Sequence, residues 1–246
     1  DITWFDEDDL LGTEMSFPSG SAWRLESEIY EHIYYEEQSE CEALGIHSEA
    51  RGVFSCSKVS WSGPPTAVIK IRQQIPWWKT ATKTPEIRDK QASSEIPRAF
   101  SSEIEALSHL MKAGCSSTPF LLSWKKDQQT IDEWVPGGYK LSILMEKLPG
   151  SNPGDSLFSG QMPRDERDEA FKAAWLETVR CGVIHGDGSI NNLLWDRESE
   201  RYYLVDWEYW RFSKETTRWE DRLYVRWNLA HDGPSHILFD MPGWRL

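Results

Sequence analysis

Cysteine is scarce in this sequence and shows no pairing pattern. Only four cysteines occur among 246 residues, and none of them forms a C-x-x-C pair. Disulfide-stabilised secreted domains and cysteine-ligated zinc sites need a denser or more regular spacing, so neither class is indicated. The pattern predicts reduced, mostly buried thiols in an intracellular, cytoplasmic protein.

Positive charge is also in deficit. Lys and Arg number 27 against 40 Asp and Glu, and the formal net charge is −13. Proteins bind nucleic acid by replacing phosphate counterions with Lys and Arg, so nucleic acid is not an expected partner. No apolar run approaches the length of a membrane span and no signal-peptide pattern is present, so a membrane partner is not expected either.

Internal repeats and low-complexity segments are absent, whereas tryptophan is abundant at 14 residues. Most of these tryptophans are expected to be large core side chains. Aromatic residues also accompany the acidic ones in residues 1–38. This stretch is predicted to be an N-terminal extension, either packed on a domain or partly mobile.

Hydrophobic periodicity predicts a mixture of strands and helices. Strands are indicated by "GVFSCSKVSW", "TAVIKIR", "PFLLSWKKD" and "YKLSILMEKLPG". Helical spacing followed by a glycine marks two long helices, at residues 98–114 and 164–182. Residues 73–97 are polar and contain prolines, and they are predicted to be an insertion loop.

The stretch "GVIHGDGSINNLLWDRESERYYLVDWEYW", residues 182–210, contains the candidate catalytic groups. Asp187 ends an H-x-D triplet, Asn192 follows five residues later, and Asp206 follows Asp187 by nineteen residues. These carboxylate and carboxamide groups stand at the ends of apolar runs, which would anchor their loops on a rigid base. The alternative is a surface turn with an aspartate at a strand end.

This spacing resembles the catalytic and metal-binding segments of the protein-kinase-like superfamily, H-x-D-x-x-x-x-N followed by a D-F-G-like triplet. The resemblance implies that Asp187 is the catalytic base. It also implies that Asn192 and Asp206 hold Mg²⁺ against the phosphates of ATP.

Other parts of the family pattern occur upstream in the same order. "AVIKI" resembles the strand whose lysine contacts the phosphates, which implies that role for Lys70, and "SSEIEALSHL" resembles the helix that supplies its partner, Glu103 or else Glu105. "ILMEKLPG" resembles the hinge strand, so Glu146 and Leu148 would flank the adenine contact. The alternatives are an edge lysine, a solvated helix face and a buried strand.

The sequence departs from the family pattern in three places. "LGIHSEARGVF" contains only Gly45 and Gly52 where the family has three phosphate-covering glycines. Gly186 replaces the arginine of regulated protein kinases, so control by a phosphorylated activation loop is not expected. "VDWE" has Glu208 in place of the D-F-G glycine, which resembles aminoglycoside and choline phosphotransferases and implies a further metal ligand. The combination also resembles small fungal kinase-like proteins.

The resemblance implies a two-lobed α+β kinase-like fold with a reduced C-terminal lobe. The predicted regions are an acidic extension at residues 1–38, a β-rich lobe at 39–149 and a short helical lobe at 150–246, with a hinge at residues 150–160. The implied activity is ATP- and Mg²⁺-dependent phosphoryl transfer to a hydroxyl. A pseudokinase that serves as a binding module, or the same fold used for another chemistry, stays open as an alternative.

A small-molecule acceptor is favoured over a protein. No A-P-E triplet occurs, and the 40 residues after Asp206 have room for one helix, at residues 218–229. If this end of the chain is natural rather than truncated, a peptide-binding shelf is not expected. The acidic balance suits a cationic or neutral acceptor. It is expected beside Asp187, between residues 166–181 and the C-terminal tail. Possible walls are Trp207, Tyr209 and Trp210, which by default are core residues.

Overall fold

The computed structural model describes residues 2–60, 62–154 and 164–230, without the side chains of residues 164–167. Over these residues it combines helices with antiparallel sheets, so the predicted α+β class is confirmed. The chain divides into two compact units. The first comprises Asp1–Phe100 and Leu121–Lys147, and the second comprises Ser101–Phe120 and Leu148–Leu246.

The first unit is built on one six-stranded antiparallel sheet. Its strands are β1 (Glu14–Ser16), β2 (Ala22–Tyr34), β3 (Glu49–Ser60), β4 (Thr66–Gln74), β5 (Leu121–Gln128) and β6 (Tyr139–Glu146). The spatial order is β1-β2-β3-β4-β6-β5.

Alternation along β4 separates a hydrophobic core from a charged face. Ala67, Ile69 and Ile71 are fully buried in the core cluster of the unit. Lys70 and Arg72 alternate with them, so their side chains lie on the opposite face of the sheet. The period-2 pattern of "TAVIKIRQQ" thus puts Lys70 on the charged face of the sheet.

The acidic N-terminal stretch, predicted as an extension, supplies two strands and part of the core. Strand β2 has 13 residues and pairs with β3. Trp23 and Leu25 are fully buried while Arg24 and Glu26 are exposed, which is the alternation of a half-buried strand. Helix α1 (Glu7–Leu10) precedes β1, and helix α2 (Gln38–Leu44) connects β2 to β3. The predicted limits at residues 38 and 149 stay predictions.

The predicted insertion loop after β4 is bonded to the sheet through glutamine side chains. Gln74 donates to the main-chain oxygen of Gln91 at 2.6 Å and accepts from the N–H of Ser93 at 2.9 Å. Gln129 donates to the main-chain oxygen of Gln74 at 2.8 Å. The segment also forms α3 (Pro85–Arg88) and two single 3-10 turns, so it is a structured connection.

The second unit contains the candidate catalytic segment. It has two long helices, α4 (Arg98–Lys112), which begins in the first unit, and α5 (Arg164–Arg180). Two small antiparallel sheets follow, β7 (Val183–His185) with β10 (Trp210–Phe212), and β8 (Leu193–Asp196) with β9 (Arg201–Leu204). A short helix, α6 (Arg222–Arg226), comes last in the described residues.

Both predicted long helices and the four predicted strands are confirmed. The predicted helix at residues 218–229 is wrong in its limits, because α6 has only five residues and Asn228 adopts a left-handed φ of 55° that ends it. Most of the predicted hinge at residues 150–160 and the tail beyond residue 230 lie outside the described residues.

All four cysteines are free thiols, and Cys41, Cys56 and Cys115 are buried as predicted. Burial raises the pKa of Cys56 to about 12, so its thiol stays protonated. Within the described residues, no helix has both the length and the apolar character that crossing a bilayer requires.

Candidate active site

The Gly-Asp-Gly turn after β7 is held by neighbouring backbone. The N–H of Gly186 donates to the main-chain oxygen of Tyr209 at 2.7 Å, which extends the pairing of β7 with β10. A Cβ on Gly186 would lie 2.9 Å from that same oxygen, so the close approach requires glycine. A 3-10 turn, Ile190–Asn192, then leads into β8, and the Ser189 side chain caps this turn.

Asp187 and Asn192 are brought together by this turn. The side-chain amide of Asn192 donates to the main-chain oxygen of Asp187 at 3.0 Å and to its Oδ2 at 3.2 Å. Since the amide nitrogen is used in this way, the carboxamide oxygen is the atom that Asn192 can offer a cation. Asn192 is buried and Asp187 is exposed to solvent.

His185 joins this loop to the residues that precede Asp206. Its Nδ1 accepts from the N–H of Asp187 at 3.2 Å, and its Nε2 lies 3.0 Å from the main-chain oxygen of Val205. The neutral ring protonated on Nε2 satisfies both contacts. Burial lowers the pKa of His185, which favours the same neutral form. The histidine of the H-x-D triplet is therefore a structural connector.

Asp206 has a left-handed backbone conformation, with φ of 62°. Few residues with a side chain adopt it, and Asp and Asn tolerate it best. Its neighbours hold it in place: the N–H of Val205 donates to the main-chain oxygen of Asn192 at 3.0 Å, and the indole of buried Trp207 donates to Leu204 at 3.0 Å. Asp206 is thereby kept near the 3-10 turn that ends at Asn192.

Two carboxylates of one segment and a third from helix α4 converge in the second unit. One oxygen from each of Glu103, Asp206 and Glu208 lies within 4.8 Å of the others. Both glutamates are buried. Helix α4, which carries Glu103, is bonded to the adjoining segment, because the indole N–H of Trp210 donates to the main-chain oxygen of Ser102 at 2.8 Å.

The donor set of this carboxylate cluster fits a hard cation. All three groups offer oxygen, which Mg²⁺ and Ca²⁺ prefer, whereas zinc sites usually include His or Cys. Such a cation would bind one oxygen from each carboxylate, and these three oxygens lie within 4.8 Å of one another. Neighbouring carboxylates repel one another when ionised, and a cation removes that repulsion.

The nucleotide-contact candidates belong mainly to the first unit. Lys70 is 8% exposed and pairs in register with Val53 of β3 and Ile143 of β6. Glu146 is the last residue of β6, and Leu148 is the first residue after Lys147, where the first unit ends. The roles assigned to Lys70, Glu146 and Leu148 stay predictions.

The two glycines of the supposed phosphate loop have local packing roles instead. Gly45 ends α2 with φ of 65°, and its N–H donates to the main-chain oxygen of Cys41. Gly52 lies within β3, where a Cβ would be 2.5 Å from the ring of Phe54. The connection between β2 and β3 contains a helix, so these glycines do not form a three-glycine phosphate loop.

The three aromatic residues proposed as acceptor walls have different environments. Trp207 is fully buried and contacts the His185 ring edge-on, with ring centroids 4.6 Å apart, so it belongs to the core. Trp210 is half-buried against α4. Tyr209 is 63% exposed and is the one of the three with an open ring. The C-terminal tail expected opposite them lies outside the described residues.

Two features of the site were not found by sequence reasoning. Glu103, predicted as the partner of Lys70, lies beside Asp206 and Glu208, and Glu105, the other candidate, is exposed. Arg226 of α6 donates to the main-chain oxygen of Gly186 at 2.6 Å across 40 residues of sequence. Contacts this distant along the chain leave no local pattern.

No protein-family model and no curated protein matches the sequence. Among solved structures, the chain is similar to the kinase PK-1 of the Cydia pomonella granulovirus, with a TM-score of 0.42 and 14% sequence identity. The match covers 74% of this chain and 52% of that chain, so this chain spans about half the length of the viral kinase. A similarity of this size carries no conclusion about activity, which depends on the residues of the site.

Proposed function

We propose that the protein is a kinase-like phosphotransferase that moves the γ-phosphoryl group of ATP to a hydroxyl with the help of Mg²⁺. The observation that supports this is the convergence of two groups of residues in the second unit. Asp187 is bonded to Asn192, and Asp206 meets Glu208 and Glu103. Main-chain bonds of Val205 to Asn192 and His185 connect the two groups.

Each residue has a role that phosphoryl transfer requires. The reaction is catalysed mainly by positioning and by charge stabilisation. Asp187 orients the acceptor hydroxyl and takes its proton. The oxygens of Asn192, Asp206 and Glu208 hold Mg²⁺, which when bound neutralises phosphate charge, and Glu103 adds a third carboxylate oxygen to that set.

The first unit is proposed to bind the nucleotide. Lys70 is suited to the α- and β-phosphates, because a lysine on a rigid strand presents a fixed positive charge. Main-chain groups next to Glu146 and Leu148 are proposed to bond the adenine.

The proposed acceptor is a hydroxyl of a small molecule. Gly186 and Glu208 replace the arginine and the glycine of protein kinases, and both replacements resemble aminoglycoside and choline phosphotransferases. An acceptor screen over sugars, amino alcohols, hydroxy acids and peptides tests this class. Strong labelling of peptides with no small alcohol accepted would contradict it.

Nucleotide binding is the first test. Calorimetric titration with ATP should show binding in Mg²⁺ and much weaker binding in EDTA. A bound ligand at about 100 times its dissociation constant adds about 2.7 kcal/mol to the free energy of unfolding, so thermal unfolding should report the same difference. Equal binding with and without Mg²⁺ would contradict the metal assignment.

Turnover is the second test, with Asp187→Asn as the variant. The affinity for ATP should stay close to wild type, because the base acts on the acceptor and mainly in the transition state. The rate of transfer should fall by about 10²- to 10⁴-fold. A variant that turns over normally excludes Asp187 as the base.

A second candidate function is a binding module that has lost turnover. It is favoured by one observation, the placement of Gly45 and Gly52 in packing roles that leave them outside a phosphate-covering loop. The two candidates differ in one measurement. Binding of Mg²⁺ and ATP by wild type without transfer to any acceptor, and without hydrolysis, would support the binding module.

A further inference from the structure

Arg226 lies against the loop that contains Asp187. Its Nη2 donates to the main-chain oxygen of Gly186 at 2.6 Å, directly before the proposed base. A Cβ on Gly188 would lie 2.9 Å from Cγ and 3.1 Å from Nε of Arg226. The arginine side chain therefore lies against both glycines that flank Asp187.

The helix that presents Arg226 is fixed to the rest of the second unit. The hydroxyl of Tyr224 donates to the main-chain oxygen of Asp168 on α5 at 3.0 Å. Trp227 is buried, and its ring lies 5.1 Å from that of His185 and 5.4 Å from that of Phe171. Arg226 thus projects from a rigid base, although its own side chain is exposed.

The turn would be poorly held on that side without the arginine. Gly186 and Gly188 have no side chains to pack, and glycine has the greatest backbone freedom of any residue. On one side the backbone of Tyr209 bonds Gly186, and on the other the guanidinium of Arg226 bonds its oxygen. A hydrogen bond from a charged donor is stronger than a neutral one.

We propose that Arg226 is a positioning residue for the phosphoryl transfer, and that it acts by fixing the Gly186–Asp187 peptide so that the Asp187 carboxylate faces the acceptor. The inference rests on the proposed function for its catalytic part. The contact itself is a property of the protein without nucleotide.

The test compares Arg226→Ala with Arg222→Ala. Arg222 is an exposed arginine on the same helix whose ion pair is with Glu220 at 2.6 Å, so it controls for loss of a surface charge. Phosphate release from ATP in Mg²⁺, with water as the acceptor, measures turnover. Arg226→Ala should lower kcat by about 10- to 100-fold with KM for ATP within about twofold, and Arg222→Ala should match wild type. Added guanidinium should restore part of the rate to Arg226→Ala only.

Hydrogen exchange of residues 183–192 in the nucleotide-free protein measures the contact independently of turnover. Exchange should be faster in Arg226→Ala and unchanged in Arg222→Ala. Gly188→Ala, which displaces the arginine side chain, should reproduce both effects. Two results for Arg226→Ala would overturn the proposal: unchanged hydrogen exchange, or a change in KM for ATP with no change in kcat. Absence of Mg²⁺-dependent ATP binding in wild type would instead refute the proposed function.

Discussion

Asp206 combines a left-handed backbone conformation with membership of a cluster of three carboxylates. Strained backbone positions persist only where the surrounding structure holds them, and they concentrate at functional sites. Here the hydrogen bonds of Val205 and Trp207 supply that support. The backbone conformation of Asp206 therefore supports its proposed metal-binding role, in addition to the sequence motif.

Asp206→Asn should separate the backbone role of this residue from its charge. Asparagine tolerates φ above zero at least as well as aspartate, so the midpoint of thermal unfolding should stay close to wild type. Mg²⁺-dependent ATP binding, measured by calorimetry, should be lost, because a neutral amide replaces a carboxylate ligand. Asp132→Asn, at an exposed position of the first unit, is the control. Wild-type affinity in Asp206→Asn would remove this residue from the metal site.

The segment that follows α4 is connected to α5 by one partly buried carboxylate. Glu177 of α5 accepts from the N–H and the Oγ of Ser116 at 2.9 and 2.8 Å, and also from the hydroxyl of Ser117. Burial alone would raise the pKa of Glu177, but these hydrogen bonds, together with the charge of Arg201, hold the pKa below its ordinary value of 4.5. The charged form is therefore the one that stabilises the fold.

The pH dependence of stability should report this connection. Because the folded pKa is lower than the unfolded one, the contribution of Glu177 is present above about pH 4.5 and is lost as the pH falls through the folded value. Glu177→Gln should lower the free energy of unfolding by about 1–2 kcal/mol at neutral pH, and the difference should shrink below pH 4.5. Glu169→Gln, an exposed position on the same helix, is the control for denaturation measured across pH. A difference independent of pH would contradict the assignment.

Strand β3 gives a test of whether Gly52 serves packing or phosphate binding. The Cβ of Gly52→Ala would meet the buried ring of Phe54, so the substitution should destabilise the fold by about 1–3 kcal/mol in the absence of nucleotide. The same change should cost less when Phe54→Leu makes room, and a double-mutant cycle by urea denaturation measures this coupling. Wild-type stability with weakened ATP binding would instead favour the phosphate role.

The whole chain has a net charge of −13, and this bears on its partners more than on its fold. Polyanions are repelled by an excess of carboxylates, whereas a small substrate responds mainly to the local groups of its site. The acidic excess is also local, because Glu103, Asp206 and Glu208 lie close together in the second unit.

Nucleic-acid binding should accordingly be absent at physiological salt. Fluorescence anisotropy with a labelled DNA duplex should give a dissociation constant weaker than about 10⁻⁴ M at about 0.15 M salt, the weak end of non-specific binding. The anisotropy of the free dye in the presence of the protein is the control for probe artefacts. Micromolar affinity with a steep salt dependence would contradict the expectation.

Local patterns were enough to predict the strands, the long helices and the turn that contains Asp187. β4 alternates apolar and charged residues, and α4 repeats apolar residues at helical spacing, so each has one face that must be buried. The interval from Asp187 to Asn192 is short, and a single turn brings the two side chains into contact. Such predictions succeed because the interactions that decide them lie within a few residues.

The sequence by itself determined which side chains could serve phosphoryl transfer and on which local elements they stand. Only the tertiary structure decided that Glu103 joins Asp206 and Glu208, that Arg226 bonds Gly186, and that the acidic N-terminal stretch completes the sheet. The physical reason is that these contacts join segments far apart in the chain. Their geometry depends on how whole helices and strands bury their apolar faces, and no short stretch of sequence records that choice.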